Sequence, residues 1–368
     1  MHKRKRDGNA TFSRFYMESK VAKNTYICRN LSVPLSDNPI SIKSLLQQVI
    51  LAAIDLVRMN LASADLTSTA KLTDEAIPVH RLSDDSCILY RSAIALKLAP
   101  LWQLNVLDLA HQLTVSFPTI NQDSASQHGL DFNIEVVSPG WINIRLSDRG
   151  LATWLQQMIQ NPPTKRDGKM GRSGHKEASE DAETFPPEFP RVAASPPLGV
   201  IEAASSPPHL CPKDSPNLFP IQYAHARCCS LLRLAHGQGL IKLRDLGFNT
   251  GSWQLVEPNP IPWLNDDQET HTEQVCLRLM HLAERRLISQ ILDWQDESHQ
   301  SSLGRSVKRC SSLSNDFENF YSSCRIWGEV KTENPKLAQA RLGLVGVTQA
   351  VLRSLLQDQL GVTAPVEL

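Results

Sequence analysis

The sequence predicts an α+β domain followed by an all-α helical bundle, with a disordered linker joining the two domains. Apolar residues recur at every third or fourth position in both halves of the 368-residue chain, which is typical of amphipathic helices. Alternation of apolar and polar residues, the pattern of half-buried strands, stands out only in the first half. Twelve of the 23 prolines fall between residues 161 and 220, where hydrogen-bonded elements cannot propagate. The predicted parts are a tail (1–39), the α+β domain (40–160), the linker (161–219) and the helical domain (220–368).

The first domain begins with predicted helices. Residues 41–59 place seven apolar side chains on one face, and Ser41 is a suitable N-cap because its hydroxyl can accept from a free backbone N–H. A second helical segment covers 90–100, where Pro100 ends it, and a third covers 101–117.

Two strands and a last helix complete the α+β domain. Residues 131–137 and 141–147 each alternate between apolar and polar side chains, and Ser138-Pro139-Gly140 between them predicts a turn. The two strands therefore pair antiparallel. Helical spacing returns over 151–159.

The linker and the second domain differ sharply in composition. Pro, Ser, Gly and charged residues dominate the linker, so it buries too little apolar surface to fold. After it, strand patterns are nearly absent and four apolar stripes at helical spacing begin at Ala224, Leu277, Leu313 and Leu344. The second domain is therefore predicted to be a helical bundle.

Charge and cysteine content limit the possible partners and compartment. Lys+Arg and Asp+Glu both number 38, so a nucleic acid must be held by a local patch, and a histone-like or DNA-binding protein is not expected. No segment is apolar enough for a membrane span. Eight cysteines without a CxxC motif favour a reducing, cytoplasmic location. An organelle-targeting segment within the first 30 residues stays open as an alternative to a solvated tail.

Signatures of catalysis and of metal binding are missing from the sequence. It contains no GxGxxG, GxxxxGK[ST], GxSxG or HExxH motif, so we expect no catalytic residue, cofactor or metal site. The pair Cys228-Cys229, three residues after His225, is better explained by core packing, because neighbours on a helix diverge by about 100 degrees.

The helical domain resembles the DALR anticodon-binding domain of arginyl-tRNA synthetases. The resemblance rests on YAHARCCS (223–230), FYSSCR (320–325), ARLGLV (340–345) and the chain end LGVTAPVEL (360–368), which occur in the family's order and at about its spacing. Residues near 296–311 look like an insertion relative to the family. By this resemblance Tyr223 and Arg227 face the anticodon loop, and Tyr321 lies under a loop base.

The first domain resembles the additional N-terminal domain of the same synthetases. The segments YRSAIAL (90–96) and SPGWINI (138–144) carry this resemblance. In the family this domain grips the outer corner of the tRNA near the D-loop. The resemblance implies that Trp141 stacks there and that Asn143 contacts a base edge, although packing of the turn is an equally valid reading of both residues.

The two family-like parts lack the catalytic domain that separates them in the synthetases. Only the proline-rich linker lies between them, and Lys169-Met170-Gly171-Arg172-Ser173 echoes the family's KMSKS loop by chance. The resemblance therefore implies a non-catalytic, cytoplasmic protein that binds tRNA, with arginine tRNA as the expected species. A protein that modifies tRNA, or a catalytic protein, stays open as an additional partner.

Two alternative functions stay open. The family carries Glu-Arg-Met near its chain end, whereas this chain has Val366-Glu367-Leu368, which puts an acid where RNA phosphate is expected. This departure and the zero net charge favour a protein interaction module that no longer binds RNA. The chain could also be the tRNA-binding part of a split arginine-tRNA ligase.

Overall fold

The chain divides into two compact units that do not follow the predicted domain boundaries. The computed structural model describes residues 29–34, 41–61, 77–82, 87–121, 129–163, 217–245, 253–265, 275–297 and 303–368. The first unit is Met1–Trp154 with Leu264–Leu277, and the second is Leu155–Trp263 with Arg278–Leu368. Most of the predicted linker, residues 164–216, lies outside the described residues, as does the echo of the KMSKS loop.

The first unit is built on an antiparallel sheet. Its five strands are β1 (Arg29–Pro34), β2 (Val79–Leu82), β3 (Leu89–Ser92), β4 (Gly129–Val137) and β5 (Trp141–Leu146). They are ordered β1-β4-β5-β3-β2, and every neighbouring pair is antiparallel. The predicted pairing of β4 with β5 is confirmed.

Helices cover one face of this sheet. They are α1 (Ile42–Asn60), α2 (Ile94–Trp102) and α3 (Val106–Asn121). Helix α4 (Asp148–Gln160) follows β5, and its residues after Trp154 belong to the second unit. Alternate residues of the strands, among them Tyr90, Phe132 and Ile144, are fully buried on the helical face. The hydroxyl of Ser41 accepts from the backbone N–H of Ser44 at 3.1 Å, which confirms the predicted N-cap.

Three local predictions for the first unit need correction. Residues 90–92, predicted as the start of a helix, lie in β3, and the helix begins only at Ile94. Pro100 does not end α2, which continues to Trp102; the missing N–H of Pro100 removes a single hydrogen bond of the last turn. Residues 29–34 of the predicted tail form β1, which pairs with β4.

The second unit is mostly helical. Its helices are α5 (Phe219–Gly237), α6 (Leu282–Glu297), α7 (Leu303–Ser323), α8 (Glu329–Glu333) and α9 (Pro335–Ser354), and α9 continues into a π-helical turn (Leu355–Gln359). Among the described helices of the whole chain, none is long and apolar enough to cross a membrane.

The second domain is helical, as predicted, but it is not all-α, because a small hairpin interrupts its helices. Strands β6 (Lys242–Asp245) and β7 (Trp253–Glu257) pair antiparallel. The predicted insertion near 296–311 is largely the first part of α7, since residues 303–311 are helical. Residues 298–302 lie outside the described part of the chain.

The turn between β4 and β5 is fixed by Gly140. Its φ of 144° lies in a region that side chains rarely adopt, and its N–H donates to the carbonyl of Val137 at 2.9 Å. A Cβ atom at this position would lie 2.3 Å from Cγ1 of Val106, at the start of α3. The helix thus holds the turn in close contact, and the turn leads directly into Trp141.

Replacing Gly140 should therefore destabilise the first unit. We expect Gly140→Ala to lower the free energy of unfolding by about 1 to 3 kcal/mol, because the backbone is strained and Val106 must move. Urea denaturation followed by circular dichroism measures this change. The matched control is Gly304→Ala, since nothing lies within 4 Å of a Cβ atom there. Equal stability of the two variants would contradict the argument.

Candidate functional site

The structure brings together the three residues predicted to face the anticodon. Tyr223 and Arg227 lie one turn apart on α5, and Tyr321 lies near the end of α7. Nη1 of Arg227 donates to the hydroxyl of Tyr223 at 2.7 Å. The Cζ atom of Arg227 lies 4.2 Å from the ring centroid of Tyr321 and 5.8 Å from that of Tyr223. Both distances are within the range of a cation–π interaction.

Two phenylalanines extend this cluster and were not predicted. Phe219 stacks on Tyr223 with ring centroids 6.2 Å apart, and Phe317 stacks on Tyr321 at 6.5 Å. We call Phe219, Tyr223, Arg227, Tyr321 and Phe317 the aromatic ladder. Its two ends differ, because Phe317 is fully buried while Phe219 is 59% exposed. The spacing of four residues within each pair was the sequence signal that could have found both rings.

The exposed end of the ladder offers a surface for stacking. Tyr223 is 40% exposed and Tyr321 is half-buried, so flat groups can reach both rings. A guanidinium held between two aromatic rings presents positive charge without a flexible side chain. Such a surface suits unstacked nucleic-acid bases next to phosphate.

The other two predicted residues also share a partner. Trp141 and Asn143 lie two residues apart on β5, on the sheet face away from the helices, which we call the outer face. Nε of Arg91, on β3, donates to Oδ1 of Asn143 at 2.8 Å, and its Cζ lies 5.6 Å from the Trp141 ring centroid. Arg91 was missed, although it lies in a segment that carries the family resemblance.

The chain end is fastened along α5. The carbonyl of Pro365 is 2.8 Å from Nδ1 of the buried His225, and the carbonyl of Thr363 accepts from Gln222 at 3.1 Å. Nε2 of Gln349, on α9, lies 2.9 Å from Nε2 of His225. Desolvation by burial lowers the pKa of His225 to about 4, so the ring is neutral at pH 7.

Glu367, the acid that departs from the family pattern, has a partner on α5. Its carboxylate forms an ion pair with Arg233 at 2.5 Å. The Arg233 guanidinium also lies 5.9 Å from the Trp253 ring centroid. Glu367 therefore neutralises a basic side chain of this unit.

The cysteine pair on α5 is buried, as the packing interpretation predicted. Cys228 and Cys229 are both fully buried, and burial raises the pKa of Cys229 to about 12. Among the described residues, no group of three His, Cys, Asp or Glu side chains is arranged to hold a metal ion.

Arg341, which belongs to one of the family-like motifs, has a structural contact. Its Nε donates to Oε1 of Glu284 at 2.7 Å, and Glu284 is 1% exposed. The other carboxylate oxygen accepts from the backbone N–H of His281 at 2.8 Å, at the start of α6. The pair joins α6 to α9 in a buried position, where losing one partner would leave an unpaired charge.

Comparison with known proteins confirms the predicted family relationship for part of the chain. Residues 264–368 match the family model of the DALR anticodon binding domain. Tyr321 lies inside this range, whereas Tyr223 and Arg227 precede it. No solved structure shows a significant match to this chain.

Curated relatives of the chain are arginine–tRNA ligases. The ligase of Synechococcus sp. (strain JA-3-3Ab) is 31% identical over 152 residues, that of Moorella thermoacetica 35% over 156, and that of Pelodictyon phaeoclathratiforme 36% over 157. The alignments cover 41% to 42% of this chain and 22% to 23% of each relative. The chain thus spans less than a quarter of the length of the relatives that it matches. It is related to arginyl-tRNA synthetases and carries a DALR anticodon-binding domain.

Acid should destabilise the second unit through His225. The ring has a pKa of about 4 when folded and an ordinary value of 6.5, so below pH 6.5 the unfolded chain binds a proton that the folded chain does not. We expect this difference in proton binding at His225 to lower the free energy of unfolding by about 3 kcal/mol between pH 6.5 and pH 4. Urea denaturation at pH 7, 6, 5 and 4 measures it.

The matched variant for this measurement is His225→Gln, which cannot titrate. Other groups titrate equally in both proteins, so only the difference between the two curves reports His225. The free energy of unfolding of the wild type should exceed that of His225→Gln by less and less as the pH falls. A constant difference at all four pH values would show that His225 does not have the lowered pKa.

Proposed function

We propose that this chain is a non-catalytic tRNA-binding protein that binds the anticodon loop of an arginine tRNA through the aromatic ladder. The observation that carries the proposal is the Arg227 guanidinium held between Tyr223 and Tyr321, in the unit that contains most of the residues matching the DALR domain. Anticodon bases are unpaired and can leave their stack, so they need aromatic surfaces more than a strong overall charge.

The binding mechanism follows from the exposure of the ladder. An unpaired base stacks on the exposed part of Tyr223 or Tyr321, and Arg227 neutralises the adjoining phosphate. Because α5 and α7 are fixed by packing, both rings are already positioned before RNA binds. Little side-chain entropy is then lost, and most of the stacking energy contributes to affinity.

The outer face of the sheet provides a second RNA contact in this proposal. Trp141 stacks on an unpaired base of the D-loop, and Asn143 reaches its edge. Their spacing on β5 supports this, since alternate residues of a strand lie on the same face about 7 Å apart. Two separated contacts would let the chain distinguish folded tRNA from a simple hairpin.

The proposal assigns no catalysis to this chain. Its similarity to the ligases covers less than a quarter of their length, and the DALR model accounts for the C-terminal residues. The protein would deliver or sequester its tRNA for another enzyme in the cytoplasm. As the tRNA-binding part of a split ligase, it would instead require a catalytic partner chain.

A protein interaction module is the second candidate function. It is favoured by the ion pair between Arg233 and Glu367, which removes a positive charge that RNA would otherwise meet. Exposed apolar side chains of the second unit, such as Met280 and Leu282, would also suit a protein partner. In this reading the aromatic ladder packs against protein and not against bases.

The aromatic ladder can be tested by substitution. We expect Tyr321→Ala and Arg227→Ala each to weaken binding of an arginine tRNA transcript by about fivefold to a hundredfold, since a lost base stack costs about 1 to 3 kcal/mol. Tyr321→Phe keeps the ring and should bind nearly as the wild type does. Fluorescence anisotropy at several salt concentrations provides the affinities.

Arg305→Ala is the matched control, because Arg305 is an exposed cation on α7 away from the ladder. Thermal melts of every variant separate lost binding from lost stability. Wild-type affinity in both ladder variants would eliminate the anticodon proposal and favour the interaction module.

The absence of catalysis is a separate prediction. The purified chain should not exchange pyrophosphate into ATP when arginine and arginine tRNA are present, because no part of it is proposed to bind ATP. An active arginine–tRNA ligase is the positive control. Exchange above a blank without protein would disprove the non-catalytic assignment.

A further inference from the structure

Arg233 combines a cation with an aromatic ring, as Arg227 does in the aromatic ladder. Its Cζ atom lies 5.9 Å from the ring centroid of Trp253, on β7, which is within the range of a cation–π interaction. Its Nη1 atom also lies 2.5 Å from Oε1 of Glu367. The second unit therefore holds a further cation against an aromatic ring, and a carboxylate of the same chain occupies that cation.

Glu367 lies beyond the point at which the chain end is fastened in the core. The carbonyl of Pro365 is 2.8 Å from Nδ1 of the buried His225. Within the described part of the chain, the hydrogen bonds to Val366 and Glu367 come from Arg233 alone. Glu367 can therefore leave Arg233 while the contact at Pro365 is kept.

The ion pair between Arg233 and Glu367 is easy to exchange for another anion. The side chains are 39% and 75% exposed, so water screens the pair and it contributes little to stability. Glu367 uses one carboxylate oxygen, and Nη2 of Arg233 donates only to the carbonyl of Val366 at 3.4 Å. A phosphate group can accept from both nitrogens at once, which is the geometry that a guanidinium favours.

A second arginine lies near Arg233. Burial raises the pKa of the Cys229 thiol to about 12, and the charges of Arg233 and Arg353 both act against that rise. Both arginines therefore lie close to this thiol, one on α5 and one on α9. Arg353 donates to the neutral side chain of Gln357 at 3.1 Å. Glu367 thus offsets one of two neighbouring cations.

The position of Arg233 on α5 determines which part of a bound RNA it meets. It lies six residues after Arg227, which is about 9 Å along the helix axis and about 120° around it. Arg233 therefore does not contact the base that stacks on the aromatic ladder. It faces the sugar-phosphate backbone further along the RNA, where contacts do not depend on sequence.

We propose that Arg233 is a second phosphate contact of the bound tRNA and that Glu367 is its intramolecular competitor in the free protein. The phosphate displaces the Glu367 carboxylate, and the chain end stays anchored at Pro365. This inference rests on the proposed tRNA binding. It adds a cation that the RNA backbone meets and an acid of the same chain that restrains binding.

Such a competitor improves selectivity. Any polyanion that meets the protein at Arg233 must first displace Glu367, so general attraction toward phosphate is reduced. An RNA that also stacks on the aromatic ladder keeps those contacts and loses a smaller share of its affinity. Raising the cost of unwanted partners is a common way to achieve specificity.

Three variants test the competition. Glu367→Gln removes the charge and keeps the size of the side chain, and a double variant adds Arg233→Ala. The matched control is Glu257→Gln, because Glu257 is the acid of another exposed ion pair in the same unit, with Lys242 at 2.6 Å. The control makes the same change in net charge without releasing Arg233.

The experiment measures the affinity of each protein for an arginine tRNA transcript by fluorescence anisotropy at several salt concentrations. Glu367→Gln should bind about twofold to fivefold more tightly than the wild type at low salt. Its plot of log affinity against log salt should be steeper by about 0.7 to 0.9, because the phosphate at Arg233 releases one further counterion. The double variant should lose both effects, and Glu257→Gln should match the wild type.

The other outcomes overturn the inference. Wild-type affinity and salt dependence in Glu367→Gln show that no phosphate competes for Arg233. Equal tightening in Glu257→Gln, or a gain that persists in the double variant, shows an effect of net charge alone. Weaker binding of Glu367→Gln with a lower melting temperature shows that the pair is only structural. Binding of the transcript by the wild type keeps the proposed function intact in these cases. If neither the wild type nor Glu367→Gln binds the transcript, the proposed function fails and the inference falls with it.

Discussion

A buried, neutral histidine connects the parts of the second unit on which the candidate site depends. His225 lies on α5 between two polar partners, the carbonyl of Pro365 in the chain end and the side chain of Gln349 on α9. The His225 side chain is fully buried, so losing either hydrogen bond would leave a buried polar atom without a partner. The same helix carries Tyr223 and Arg227, each two residues from His225. Fixing α5 against α9 and the chain end therefore also fixes the first rings of the aromatic ladder.

On the outer face of the sheet a neighbouring side chain also fixes an orientation, here that of the Asn143 amide. Antiparallel pairing places Arg91 opposite Asn143, and the guanidinium then determines which amide atom faces outward. Gly140 holds the adjoining turn against α3. In both units a side chain that is proposed to contact RNA is oriented by a neighbour whose own position follows from backbone geometry. Such support limits the number of conformations that a ligand must select.

The sequence predicted what depends on local spacing and missed what depends on register. The i, i+4 relation of Tyr223 and Arg227 and the alternation in β4 and β5 are local, and both were found. Strand β3 has only four residues, and α2 begins two residues after the strand ends. The segment is therefore too short to show the alternation of a strand before the spacing of a helix begins. Strands β6 and β7 lack clear alternation because most of their side chains are partly exposed. The contact between Arg91 and Asn143 joins residues 52 positions apart, and only the order of the strands reveals it.

The neutral composition of the chain limits how it would bind RNA under the proposed function. With 38 acidic and 38 basic residues there is no long-range attraction toward phosphate, so affinity must come from short-range contacts. Glu367, in the chain end, further reduces the attraction toward phosphate, because it neutralises Arg233 on α5. Arg227 differs from Arg233, since it lies against the rings of Tyr223 and Tyr321, and, against desolvation by burial, the Tyr321 hydroxyl and the nearby Glu318 raise its pKa. A cation held between aromatic rings brings a stacking surface and a positive charge together. This combination suits the recognition of an unpaired base together with its phosphate.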